Sequence, residues 1–365
     1  MGDIPLWDVT QLRYEDASHK EELIMLSESN KERTIIIILF LITVGTFILS
    51  CTVGRYAISV FDIFKTFYTA IFKHNNSNTS TIAAVLFNIR IPRIFAAMLI
   101  GAALSMSGAA YQGLFRNPMV SPDILGASAG AGFGASLAIL LSFGITGIQI
   151  SSFLFGIGAV ALTYIISAAI DRDNNATLVL VLSGMVVSTL FSSFVSMIKY
   201  VADPYSKLPA ITFWLMGGLS STTMDDVKVL IIPVILGTVP LILFRYKLNV
   251  LSFGEEEAKA LGVDTKKIRL IIIVCSTLLT ASSVSVCGMI GWIGLIIPHL
   301  SRMLVGPNYK FLLPTAMLLG CSFLLIVDDI ARTLFTIEIP LGILTAIIGA
   351  PFFIYLLVRG RRGWV

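Results

Sequence analysis

Long apolar runs, parted by short clusters of charge, dominate this chain. A helix rising about 1.5 Å per residue needs roughly 20 apolar residues to cross a bilayer. Runs of that kind are predicted near 34–54, 94–113, 124–143, 149–170, 176–198, 227–246, 269–289, 292–304, 311–328 and 339–358. Between Asp123 and Asp171 there is no Asp, Glu, Lys or Arg, and that gap holds two spans. The pattern predicts an all-α, polytopic membrane protein of about ten transmembrane helices. Residues 1–33 precede the first run as a polar tail, and 34–365 form the membrane domain, with a polar loop at 247–267.

Small residues recur every fourth position in two runs: Gly101, Ser105, Ala109 and Gly113 in one, Gly126, Gly130 and Gly134 in the other. Such faces let helix backbones approach closely in lipid. Composition agrees, with 56% of residues hydrophobic and 13% charged, and a mean hydropathy of +0.88, outside the range of soluble globular chains. The net charge of +4 comes from clusters between helices, which argues against a nucleic-acid partner. Cys51, Cys275, Cys287 and Cys321 lie in or beside spans without metal-ligand spacing, so they read as small apolar core residues.

Basic residues mark cytoplasmic loops. With both ends inside, the inner loops carry Arg116, Arg172, Arg245 with Lys247, Lys259 with Lys266 and Lys267, Arg302 with Lys310, and Arg359 with Arg361 and Arg362. The tail at 1–33 lacks the basic start and cleavage site of a secretory signal and is placed in the cytoplasm. The outer side then holds a polar stretch at 73–81, a segment from Asp203 to Met224, and Arg90, Arg93 and Arg332, which the rule would have put inside.

GASAG at Gly126–Gly130 matches a nucleophile-elbow pattern, but that chemistry needs a strand-turn-helix and a nearby His. Helix packing explains its glycines. The histidines, His19, His74 and His299, form no metal-binding spacing, and no GxxxxGK[ST] phosphate loop occurs. In the inner loop Leu251–Lys267, three successive glutamates open a short amphipathic helix that Gly262 ends, with Ala258 and Leu261 one turn apart. A solvated loop is the plain reading; a lever docking into a groove of another protein is the sharper one. The outer arginines, beside Pro92 and Pro340, either snorkel to headgroups or clamp carboxylates of an acidic partner. Asp328 and Asp329, near the outer end of the ninth span, read as structural, with Arg332 one turn on as partner.

RIPR (90–93), GAALSMSGAAYQGLFRNPMVSPDILGASAGAG (101–132), FWLMGGL (213–219), LSFGEEEAKALGV (251–263), GMIGWIGLIIPHLSR (288–302) and EIPLGILTAIIGAPFFIYLL (338–357) occur in an order and spacing that resemble the FecCD family of ABC importer permeases. That family includes membrane subunits for siderophores, haem and cobalamin. The resemblance implies an iron-siderophore or related metal-chelate substrate and a homo- or heterodimer of ten-helix subunits in the cell membrane. It implies two ATPase subunits below, which bind ATP and Mg, and an extracytoplasmic substrate-binding protein above, with no cofactor or metal in this chain. By position, Arg90, Arg93 and Arg332 match arginines that dock the binding protein. Gly254, Glu255, Glu256, Glu257, Ala258, Leu261 and Gly262 match the coupling helix seated on the ATPase. Asn117, Met119, Thr177 and Leu178 match the cytoplasmic gate, where Leu178 replaces a smaller polar residue.

Two other classes compete. An ion-driven secondary carrier is expected to place ionisable residues or broken helices near the midplane, and this chain has few such charges. A non-transporting receptor or an intramembrane enzyme is expected to show a large extramembrane domain or a Ser–His or Asp–Asp pair within spans, whereas Asp328 and Asp329 are adjacent rather than helix-facing.

Overall fold

The computed structural model describes residues 30–72, 81–170 and 176–360. Nearly all of the expected tail, the polar stretch at 73–80, Arg172, Arg361, Arg362, His19 and His74 lie outside the described residues.

The described chain is helical. Seven helices are long and apolar enough to cross a membrane: α1 (Asn30–Thr52), a continuous run from α3 (Thr81–Val85) into α4 (Ile91–Leu114), α6 (Ile145–Ile170), α7 (Ala176–Val201), α9 (Met224–Leu243), α12 (Thr265–Cys287) and α14 (Tyr309–Thr333). Three further apolar helices complete the set: α5 (Ala127–Leu140), α13 (Ile293–Val305) and α15 (Leu341–Gly360). These ten coincide with the ten apolar runs. The apolar pattern does not separately mark α2 (Val60–Phe72), α8 (Lys207–Met216) or α10 (Arg245–Phe253), which join them. The acidic α11 (Glu255–Ala260) follows α10 directly.

Helix α4 is the axis of the bundle, buried over almost its whole length and packed against α14, α12, α13 and α9. Its small residues make this possible. A Cβ on Gly101 would strike the backbone of Gly320 on α14, and one on Gly108 the backbone of Gly294 on α13. On α5, Gly130 and Gly134 meet the backbone of α6 at Phe155 and Ser151 in the same way. Lipid offers helices no hydrophobic drive to associate, so close van der Waals packing and interhelical hydrogen bonds take its place. A polar seam adds those bonds between α4 and α12: Ser107 Oγ lies 2.9 Å from Thr280 Oγ1 and donates to the Ser276 carbonyl at 3.1 Å, and Tyr111 Oη lies 3.2 Å from Thr277 Oγ1.

The four cysteines are all buried and free. Ser128, the would-be nucleophile, sits in α5 and donates its hydroxyl to Asp123, which gives its position a structural explanation.

Candidate functional site

At one end of the bundle, the arginine end, a π-helical turn (Leu86–Arg90) leads into α4, with Pro92 in its first turn. The wider turn, a form that recurs at functional sites, carries both Arg90 and Arg93 inward. Where an exposed cationic clamp was expected, Arg90, Arg93 and Arg332 retain only 3%, 6% and 5% of their surface. Desolvated guanidiniums need internal partners, and each has them. Arg90 donates to the carbonyls of Cys51 (2.6 Å), Thr52 (3.2 Å) and Tyr56, tying α4 to the end of α1. Gly54 makes room, since a Cβ there would meet the Arg90 guanidinium.

Arg93 Nε lies 3.0 and 2.9 Å from the two carboxylate oxygens of Asp328, Nη2 lies 2.9 Å from Asp328 Oδ1, and Nη1 donates to Glu338 Oε2 at 2.9 Å. Arg332 pairs with Asp329 and donates to the carbonyl of Ser50 at 2.9 Å. The expected partnership of the Asp328 and Asp329 pair with Arg332 is present, closely through Asp329 and loosely through Asp328. Asp328 lies 3.9 Å from Arg332 Nε, too far for a hydrogen bond, and gives its close contacts to Arg93 on another helix. Two guanidiniums, Arg93 and Arg332, thus meet three carboxylates, while Arg90 is held by backbone carbonyls.

Beside them opens a cavity of about 340 Å³, lined by Arg93, Glu338, Gln149, Asp226, Trp214 and the 217–222 loop among others. The FWLMGGL segment supplies the end of α8 and this loop, whose Gly218 N–H reaches the Cys287 carbonyl at 2.7 Å while Gly217 accepts from Leu341 N–H at 2.9 Å. Nearby, Asp203 closes the turn between α7 and α8. The Ser206 hydroxyl and N–H, each at 2.7 Å, hold its carboxyl below the usual carboxylate value.

At the opposite end lies the glutamate loop. Gly254 takes φ 150°, ψ 162°, a region essentially restricted to glycine, and turns the chain from α10 into α11. Glu255 pairs with Arg269 on α12. Glu256 and Glu257 are exposed, and Gly262, at φ 76°, ends the turn. The expected apolar stripe is split. Ala258 is fully buried in the chain's own core, while Leu261 is 66% exposed and Phe253, which the sequence reading missed, 76%. The outward apolar pair on either side of the glutamates is thus Phe253 and Leu261.

Asn117, Thr177 and Leu178 line a cavity of about 670 Å³ together with Arg116, Glu255, Glu256, Glu257 and Lys259. Met119 is outside that lining, though its N–H donates to Asn117 Oδ1 at 2.9 Å. Leu178 is 60% exposed at the cavity edge. Arg116 holds φ 48° here, uncommon for a residue with a side chain. Among the described residues, no group of three or more His, Cys, Asp or Glu is placed to hold a metal ion.

The FecCD transport family model matches residues 39–359. The chain is 42% identical over 326 residues to the molybdate import system permease protein MolB of Haemophilus influenzae, covering 89% of this chain and 95% of that one. It is 40% identical to the cobalamin import system permease protein BtuC of Halobacterium salinarum, covering 76% and 74%. It is 36% identical to the hemin transport system permease protein HmuU of Yersinia pestis, covering 79% and 87%. A solved inward-facing structure of a metal-chelate type ABC transporter superposes with a TM-score of 0.79 at 41% identity, covering 90% of this chain and 99% of that one. With its helical bundle, its acidic loop and a match along nearly its whole length, the chain belongs to the FecCD transport family, the permeases of ABC importers.

Proposed function

We propose that the chain lines the membrane path of an importer for an iron-siderophore or related metal-chelate complex, paired with a second permease subunit and driven by two ATPase subunits at the glutamate-loop end. The observation that carries this reading is the shared cavity at that end. Gate positions Asn117, Thr177 and Leu178 face the same space as Glu255–Glu257, so a movement imposed on α11 reaches the gate directly. The exposed basic residues Arg116, Arg245, Lys259, Lys266, Lys267 and Lys310 gather at this end, which supports a cytoplasmic assignment for it and for both termini. The arginine end then faces outward, where a substrate-binding protein docks. ATP and Mg belong to the ATPase, and the chain holds no cofactor of its own.

A molybdate-type oxyanion is the second reading, favoured by the 42% identity to the molybdate permease. Uptake of a radiolabelled ferric chelate against radiolabelled molybdate by the reconstituted transporter separates the two. The assembly itself is tested by purifying the tagged chain from native membranes beside a 254–262 loop scramble. An ATPase bound to wild type and lost from the scramble is expected. A chain that purifies alone from both, in several detergents, returns the secondary carrier to contention.

A further inference from the structure

The three buried arginines are not equivalent. Arg90 donates to backbone carbonyls, and Arg332 donates through Nη2 to Asp329 and Ser50 while its buried Nε makes no hydrogen bond. Arg93 has one edge held by Asp328, which is fully buried, and the other by Glu338, whose side chain keeps 32% of its exposure. Asp328 sits inside α14 near its end, on helical backbone that fixes its place. Glu338 sits in the loop before α15, with Leu334, Phe335 and Ile337 exposed ahead of it.

Arg93 and Glu338 both line the cavity of about 340 Å³, which has room for an incoming side chain. The cavity's other carboxylate, Asp226, is already engaged: it caps α9 through Thr223 and accepts from Gln149 at 2.7 Å. The Nη1 edge of Arg93 is therefore the cationic contact within this cavity held by a partly exposed, loop-borne carboxylate.

We propose that Glu338 is an internal stand-in for a partner's carboxylate. It occupies Arg93 Nη1 in the chain alone and yields it when an Asp or Glu side chain of the docking protein enters the cavity. The proposal rests on the reading that a binding protein docks at this end. Two carboxylates on one guanidinium edge repel each other, so the incoming group must expel Glu338 into solvent. One ion pair replaces another, and the net gain is small. A dock built this way has its electrostatic complementarity acting on orientation and speed while the complex stays easily released, which suits a partner that must leave in every cycle.

The test uses the intact transporter in nanodiscs and the binding protein recovered with it from native membranes, labelled and titrated back. Glu338→Gln keeps the side-chain shape and removes the rival charge, and is expected to tighten binding by about tenfold. Glu338→Asp, too short to hold Nη1, shifts binding in the same direction. Arg93→Lys, which keeps a cation beside Asp328 but lacks the fork, is expected to weaken binding. Phenylglyoxal modification of Arg93, read by peptide mass spectrometry without any partner, is expected to rise at least threefold in Glu338→Gln. Unchanged or weaker binding in both Glu338 variants with unchanged labelling overturns the stand-in role, while an Arg93→Lys transporter that binds as wild type overturns docking at Arg93 itself.

Discussion

At the residue scale, the charges at the arginine end decide more than their number suggests. Asp328 is fully buried and bound on both oxygens by Arg93. Removing its charge strands a guanidinium in a desolvated site, a loss that costs about 3–5 kcal/mol when one partner of a buried pair is deleted. Asp328→Asn is therefore expected to lower the unfolding midpoint in detergent markedly, and Arg93→Met with Asp328→Leu to recover most of the loss. Equal midpoints for Asp328→Asn and wild type would show that the pair holds nothing together. The sequence placed Arg93 and Asp328 at helix ends but left their partnership invisible. They are 235 positions apart, and helix spacing reports only neighbours on one helix, so it pointed Asp328 to Arg332. The exposed-clamp reading of Arg90 missed for a similar reason: its partners are backbone carbonyls, which no side-chain pattern encodes.

At the element scale, the joint between α11 and α12 is where, on the proposed coupling role of the loop, a push would enter the bundle. The six residues of α11 are too few to be stable alone, so their position is set by what they hold: Ala258 in the core and Glu255 on Arg269. Arg269 stands near the start of α12, and α12 packs on α4, α5, α6 and α9. Glu255→Gln is expected to leave ATP hydrolysis of the assembled transporter within about twofold while lowering substrate uptake at least about fivefold, the size of a typical coupling energy between sites. Reversing both charges, Glu255→Arg with Arg269→Glu, restores part of the uptake if the pair acts as a link. Equal loss of hydrolysis and uptake would instead mean that the ATPase no longer docks. All ten spans and the acidic helix were legible, because apolar run length and a Gly-bounded glutamate cluster are local signals. The connecting helices α2, α8 and α10 were not, since they are short and owe their form to the helices they lie against.

At the scale of the whole molecule, burial is uneven. In α12 and α14 about two thirds or more of the apolar window is buried, 72% and 67%, whereas in α1, α6, α7 and α9 the share is 22–28%. Lipid covers such faces when they are apolar throughout, as on α9, where Val229, Ile232, Leu236 and Leu243 point outward. Helix α7 differs. Thr189, Ser192, Ser193 and Ser196 are exposed beside Leu190, Phe194 and Met197. Thr189, Ser193 and Ser196 return their hydroxyl protons to the helix one turn back, which leaves acceptor lone pairs facing outward, a surface better suited to water and a polar cargo than to acyl chains. On the proposed dimer this face lines the path between two subunits. Ser193→Cys is accordingly expected to react with a water-soluble methanethiosulfonate at least tenfold faster than Leu236→Cys on α9, against a background in which the four native cysteines are buried. Equally slow reaction of both would place the hydroxyl face of α7 in lipid and require the path to run along another helix.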